Sequence, residues 1–433
     1  MDWDRFDFYS RKVKVFHTMS PAQVMAINDP ELHPSTYFRI AQLQSSTLLP
    51  SLRHLRYSLD PRSISHIFFF PSPSLESLEL TNIAGFENLV GSFLATLPSP
   101  MLSRIVLRAG RMSVDTFEKS IVQFKQLRSV ELSDAVLIND FLLREVLGTL
   151  PSLANLTLAI NSAVYLAENS TSKNEGPKRF GALESVCLTG PFLLIQHLLD
   201  FIDSPNLKSI EVYPVIKCIV VPRSGFKMCL RYDDRVIPSI RTVVSKWSQS
   251  LENLVIGIGD SKPATFELHY TISKCLTLLT DLHKIQTFRV KDWWMENMDY
   301  DVRHLAMSWP KLTSLILPVH QRPVSLSTLR IIAENCAELH FLQLQLDIST
   351  IPPFNTSSKS LCHHLGVLSV GSVDPFLITP TTLDCQIQMT RHLDFMFPYL
   401  KSIETHHGLR HTTWSGVREL VKLCQHVRRL ADR

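Results

Sequence analysis

One phrase, Leu-x-x-Leu-x-Leu, returns along nearly the whole chain, and a sequence that repeats itself in this way folds by stacking copies of one unit. It reads Leu52-Arg-His-Leu55-Arg-Tyr57, Leu75-Glu-Ser-Leu78-Glu-Leu80, Leu102-Ser-Arg-Ile105-Val-Leu107 and Leu127-Arg-Ser-Val130-Glu-Leu132. Leu153, Leu183, Leu207 and Leu251 open the next four copies, and Ile285, Leu312, Leu339, Leu365 and Leu400 open five more. A stub follows at Val427 to Leu430. Most first positions are 23 to 30 residues apart, with longer intervals of 44, 34 and 35 residues. A three-position pattern held in phase this long is not a product of chance.

The fourth and sixth positions alternate with period two, so they point to one face of a short strand, and the first Leu enters the same interior from the turn before it. Between the phrases the period becomes helical. Phe86, Leu89, Val90, Phe93, Leu94 and Leu97 form one apolar stripe. Val302, Leu305, Ala306 and Trp309 form another behind Asp301, the expected N-cap, and Val417, Leu420, Val421 and Cys424 a third. Proline at 50, 98, 151, 205 and 310 follows where helices must stop. A strand and a helix cannot bury both faces alone, but stacked copies can. The fold class expected is an α/β leucine-rich-repeat solenoid, a horseshoe with parallel strands on the concave face and helices on the convex face. Residues 1–47 are read as an N-terminal lead-in with one short helix at Ser35–Leu43, and 48–433 as about 13–14 repeat units. Two β-rich runs around Pro222–Gly225 predict an inserted hairpin near 213–235, followed by a helix at Ile237–Trp247, and the polar run 168–179 predicts a surface loop.

Composition narrows the function. The 433 residues are 45% hydrophobic but only 19% charged, with net charge +4, so neither a nucleic-acid nor a membrane partner is called for. The eight cysteines stand apart with no Cys-x-x-Cys pair, which reads as small buried thiols in a reducing compartment. The start, Met1-Asp-Trp-Asp-Arg-Phe6, has no basic segment leading into an apolar one, and the sequons at Asn155, Asn169 and Asn355 count as chance. The expected location is the cytoplasm or nucleus.

No catalytic motif survives inspection. Gly257-Ile-Gly259 would open a dinucleotide fingerprint, but Lys262 stands where the third glycine is needed, so a strand-end turn is expected. A P-loop, a G-x-S-x-G elbow and an H-E-x-x-H helix are all missing. His392, His406, His407 and His411, and the His363-His364 pair, lack the converging partners a metal needs. Trp293-Trp294 is read as core filling, and Arg418, Lys422, Arg428, Arg429 and Arg433 as the solvated face of a capping helix. The expectation is a chain with no enzyme activity, no cofactor and no metal.

Recognition is expected instead on the concave face, where the third and fifth positions of each phrase point: His54/Arg56, Ser77/Glu79, Arg104/Val106, Ser129/Glu131, Asn155/Thr157, Ser185/Cys187, Ser209/Glu211, Asn253/Val255, Thr287/Arg289, Ser314/Ile316 and Phe341/Gln343. Both signs of charge mingle there, which suits a protein partner and not a phosphate backbone. His54, Arg56, Glu79, Arg104, Glu131, Glu211, Arg289 and Phe341 are the candidate partner-binding residues.

The phrase Leu-Pro-Ser-Leu-Arg-His-Leu at 49–55, Pro-Ser-Leu-Glu-Ser-Leu-Glu-Leu at 73–80 and the Ser-Trp-Pro-Lys-Leu segment within Asp301–Leu317 carry a family resemblance. With the opening Trp3-Asp-Arg-Phe-Asp-Phe-Tyr-Ser-Arg-Lys12, the chain resembles the F-box and leucine-rich-repeat proteins abundant in mushroom-forming fungi. That resemblance implies a substrate-recognition subunit of a cullin-based ubiquitin ligase, its F-box docked on the linker subunit and its repeats holding the protein to be ubiquitylated. Residues 1–47 hold no Leu-Pro-x-Glu-like phrase of the kind that opens an F-box. The alternative expected is therefore a repeat scaffold without ligase docking. A GTPase activator built on such repeats would place Asn regularly after the strands and end in an acidic tail. Only Asn161 fits the first requirement, and the tail is basic.

Overall fold

In a computed structural model of the chain, the described residues are 3–18, 39, 47–61, 64–136, 138–139, 142–160, 180–215, 233–259, 272–291, 293, 295, 297–318, 323–348, 350–352, 354, 361, 363–371, 382–405 and 412–431. They fall into two compact units, Met1–Leu194 with Phe201–Asn206, and Ile195–Asp200 with Leu207–Arg433.

The first unit carries seven strands, β1 (Val15–His17), β2 (His54–Ser58), β3 (Ser77–Thr81), β4 (Arg104–Arg108), β5 (Ser129–Ser133), β6 (Asn155–Ala159) and β7 (Ser185–Gly190). Each pairs in parallel with its sequence neighbour and with no stagger: His54 stands against Ser77, Ser77 against Arg104, Arg104 against Ser129. Helices α1 (Trp3–Ser10), α2 (Glu87–Thr96) and α3 (Val114–Ile121) belong to this unit, and a helical turn at Leu142–Thr149 takes a helix's place before β6. The second unit repeats the plan with β8 (Ser209–Pro214), β9 (Asn253–Ile256), β10 (Thr287–Val290), β11 (Ser314–Ile316), β12 (Phe341–Leu344), β13 (Val367–Val370) and β14 (Ser402–Thr405). Its helices are α5 (Asp233–Trp247), α6 (Ser273–Leu279), α7 (Met298–Ser308), α8 (Leu326–Asn335), α9 (Leu383–Met396) and α10 (Thr412–Ala431), while the residues of α4 (Phe192–Phe201) are shared between the units. This is the leucine-rich-repeat solenoid of α/β class that the phrase predicts.

The backbone explains why the phrase has its form. In most repeats the first Leu donates its N–H back to a carbonyl three residues earlier, Leu52 to Leu49, Leu127 to Phe124 and Leu312 to Trp309, closing the turn before the strand. The carbonyl of the second position then accepts two N–H groups from the next repeat: Arg53 takes those of Glu76 and Ser77, and Thr313 those of His340 and Phe341. Backbone groups beside the core are thus satisfied repeat by repeat, as burial requires. Leu52, Leu55, Leu75, Leu78, Leu80, Leu102, Ile105 and Leu107 and their counterparts are buried, with Phe93, Phe117, Phe124, Trp247, Phe288 and Trp309 filling the space between strands and helices.

Thirteen strands begin two residues after the first Leu of their phrase. β1 does not announce itself, because Val13, Phe16 and Thr18 stand where the leucines would, yet Lys14 accepts from Arg53 and His54 as Arg53 and Thr313 accept from the repeats that follow them. It lies inside the segment read as a lead-in. The stub at Val427–Leu430 is no strand: it lies in α10, because the residues before it continue the helical period without a break. Asp301 is not an N-cap. The cap is Asn297, whose side chain accepts from the Tyr300 N–H, and Asp301 sits in the first turn of α7, buried and bonded to the Ser273 hydroxyl at 2.7 Å. The helix expected at 237–247 begins earlier, at Asp233. The loop at 168–179, nearly all of the Ser35–Leu43 helix and most of the hairpin near 213–235 lie outside the described residues.

Candidate functional site

The helices cover one side of each sheet, and the other side carries the third, fifth and seventh positions. In the first unit the fifth-position row runs His17, Arg56, Glu79, Val106, Glu131, Thr157, Cys187 across β1 to β7. Arg108, at the seventh position of β4, is the hub. Its guanidinium lies 2.8 Å from Glu131 and 3.5 Å from Glu79, while Arg56 reaches Glu79 at 3.4 Å and Arg104 reaches the other Glu131 oxygen at 3.9 Å. The result is one chain of alternating charge, Arg56–Glu79–Arg108–Glu131–Arg104. Its carboxylates are the covered members, at 13% and 21% side-chain exposure, and the guanidiniums stand above them about half-exposed. With three cations on two anions and His54 exposed beside them, the face keeps a positive excess.

Val106 was expected to face outward, and by strand alternation it does, but it is fully buried. Glu79 and Glu131 flank it in register, Arg104 and Arg108 lie two residues to either side, and their ion pairs close over it. Sequence reasoning stopped at the fifth position and so missed Arg108. The signal was present, because 104, 106 and 108 share one face of a strand.

The second unit presents a different face. Its fifth-position row is Glu211, Val255, Arg289, Ile316, Gln343, Ser369, Glu404. Its third-position row brings Ser314, Phe341 and Val367 side by side. Val255, Ile316, Phe341 and Val367 are half-buried and Arg289 is exposed, so the centre of this face is apolar with one cation in it. Glu211 accepts from the Tyr213 hydroxyl at 2.9 Å. Gly257 lies against that tyrosine ring, and a Cβ there would come within 2.6 Å of it. Gly257 follows the end of β9 directly, and its carbonyl accepts from the indole of the buried Trp293 at 3.0 Å. Trp294 lies outside the described residues.

All eight candidate residues thus lie on helix-free strand positions, five in the first unit (His54, Arg56, Glu79, Arg104, Glu131) and three in the second (Glu211, Arg289, Phe341). The other residues once weighed fall elsewhere. His363 is buried, with Nε2 2.7 Å from the Cys336 carbonyl and Nδ1 accepting the Leu365 N–H, while His364 is exposed. His392 lies 2.9 Å from the Pro352 carbonyl, and His406, His407 and His411 lie outside the described residues. Among the described residues no three His, Cys, Asp or Glu side chains converge as a metal requires. Cys336, Cys385 and Cys424 are free thiols, and burial pushes that of Cys336 up to about 12. Arg428 departs from the solvated face expected of the tail: its guanidinium pairs with Asp394, whose carboxyl burial pushes up and Arg428 pulls down. No helix among the described residues is long and apolar enough to cross a membrane.

The fold and these faces define a leucine-rich-repeat protein. No family model matches the sequence and no curated protein matches it. Among solved structures, the chain is similar to yeast Rad7 in its complex with Elc1, with 13% identity over 92% of this chain and 87% of that one and a TM-score of 0.41. It is also similar to an internalin, InlF of Listeria monocytogenes, with 13% identity over 86% and 80% and a TM-score of 0.33. A third likeness is to TLR13 in complex with a single-stranded RNA, with 15% identity and a TM-score of 0.38, covering 83% of this chain and 53% of that one. The chain therefore spans about half the length of the TLR13 chain it matches.

Proposed function

We propose that this chain is a non-catalytic protein-recognition module that holds a protein partner on its helix-free strand positions. The observation that carries the reading is the Arg56–Glu79–Arg108–Glu131–Arg104 chain, in which two covered carboxylates hold three half-exposed guanidiniums in fixed places. Cations arranged before the partner arrives lose little side-chain freedom on binding. The half-buried Phe341, flanked by Ser314 and Val367, supplies in the second unit the aromatic anchor that strong interfaces favour. The finer reading, supported by the family resemblance of the repeats, is a substrate-recognition subunit of a cullin-based ubiquitin ligase. The competing reading is a repeat scaffold that holds its partner on the same strand positions without ligase docking.

Photo-crosslinking separates these readings. A photoreactive residue at Thr157 or Gln343, on the strand face, should capture a protein that one at Lys119, on helix α3, does not, and Arg56→Ala with Phe341→Ala should reduce the yield. Equal capture from Lys119 ends the recognition reading. If the protein captured becomes ubiquitylated only when this chain and a cullin linker subunit are both present, the ligase reading stands. If capture persists without ubiquitylation, the scaffold reading replaces it.

A further inference from the structure

Helix α10 uses one face to close the second unit. Trp414, Val417, Val421 and Gln425 are buried, the Gln425 side chain donates to the Leu400 carbonyl at 2.8 Å, and Gly416 lets the helix lie close against Gln386 of α9. The rest of its surface is not uniformly polar. Leu423, Val427 and Leu430 are exposed at 58%, 57% and 56%, and Leu420 is half-buried. Positions 420, 423, 427 and 430 are the a, d, a, d places of two heptads, with Leu at both d places and Leu and Val at a. They form a narrow seam, cut for one helix.

The surroundings say which helix. On the side toward α9 the seam is bounded by Cys424 and by Arg428, which pairs with Asp394. On the open side stand Arg418, Lys422, His426 and Arg429, all exposed, against Glu419 alone, which Lys422 holds at 3.0 Å and Arg418 at 3.6 Å. The open flank therefore has a cationic excess. Because the other flank abuts α9, two copies of this chain would meet on their cationic sides and repel. A bilayer is a poor match, because a membrane-surface helix buries a broad apolar face and the broad face of α10 is already spent on α9 and β14.

We infer that α10 is a second docking site, which pairs side by side with an amphipathic helix of another protein whose core places are aliphatic and whose flanks are acidic. The test uses the full chain and a labelled four-heptad peptide with Leu at its core places and Glu at both flanks, read by fluorescence anisotropy. The peptide should bind, at least tenfold more weakly in high salt, and a peptide with Lys at its flanks should not. Leu423→Glu with Val427→Glu should abolish binding while leaving the melting temperature unchanged. Lys422→Glu with Arg429→Glu should exchange the preference, so that the Lys-flanked peptide binds instead. No binding, or equal binding of both peptides, overturns the proposal. So does self-association in sedimentation that Leu423→Glu with Val427→Glu abolishes, which would make the occupant a second copy. Flotation with phosphatidylserine vesicles abolished by the same substitutions would make it a membrane.

Discussion

Ala109 has φ of 57°, in the left-handed region that an alanine enters only at a cost. It follows β4 directly, and the residues that follow β3 and β5, Asn82 and Asp134, adopt the same conformation at 58° and 50°. Asn and Asp tolerate that geometry and Ala does not, so Ala109→Gly should stabilise the chain by about 0.5–1 kcal/mol. A lower urea midpoint for that variant would contradict the assignment. Arg108 tests the neighbouring surface. Arg108→Ala uncovers Val106 and leaves Glu79 and Glu131 facing each other, and should cost about 1 kcal/mol, discounted because the guanidinium is partly exposed. Arg104→Ala, whose pair is longer at 3.9 Å, should cost distinctly less by the same measurement. Both residues were open to sequence reasoning to different degrees. Arg104 stands at a third position and was found, whereas Arg108 required knowing that β4 runs five residues. The burial of Val106 was not legible at all, because it arises from pairing between side chains of three strands.

At the scale of elements, the turn before β13 differs from the others. At Leu339 and Leu400 on either side a backbone carbonyl accepts the N–H of the first Leu, but at Leu365 the Nδ1 of His363 does so, and Nε2 faces the Cys336 carbonyl one repeat earlier. Only the neutral ring can accept at Nδ1. Burial lowers the affinity of His363 for a proton, the nearby His364 and His340 lower it further, and the Cys336 carbonyl opposes them. A ring whose folded value lies below its unfolded value contributes stability that is present above about pH 6.5 and lost as pH falls through the folded value. His363→Gln should therefore flatten the dependence of the urea midpoint between pH 7.5 and 5.5. An unchanged slope would show that the turn does not titrate. Caps also act at this scale. Ser325 accepts the Thr328 N–H and itself donates to Asp299 of α7 at 2.9 Å, so Ser325→Ala should cost about 1 kcal/mol in thermal unfolding. Sequence reasoning placed the N-terminus of α7 four residues late, because an acidic residue before an apolar run resembles a cap. Asp301 is instead bonded across to Ser273, a contact between elements that no local pattern reveals.

For the whole molecule, most of the architecture was legible because the repeat states it thirteen times and each copy corrects the reading of the others. What escaped lay at the ends. β1 uses Val13 and Phe16 where leucines stand elsewhere, and α10 mimics the phrase with Val427 and Leu430. A helix seam and a strand phrase both put apolar residues three apart, and only the flanking period tells them apart. Repeats that touch only their neighbours also fail locally. Leu78→Ala should cost about 2–5 kcal/mol and speed amide exchange in β2, β3 and β4 well before β12, β13 and β14. Uniform acceleration across both units would show a single cooperative body instead.

The unstaggered register makes the strand face a ruler. Within each sheet, matching positions recur at the strand separation, about 4.8 Å. A peptide lying extended across the strands brings a side chain to the surface about every 6.6 Å, so it falls out of step at once and meets the rows again only after about 13–14 Å. A helix laid the same way advances about 5.4 Å per turn and keeps pace for several strands. Commensurate spacing thus favours helical ligands over extended ones on either sheet, whatever their composition.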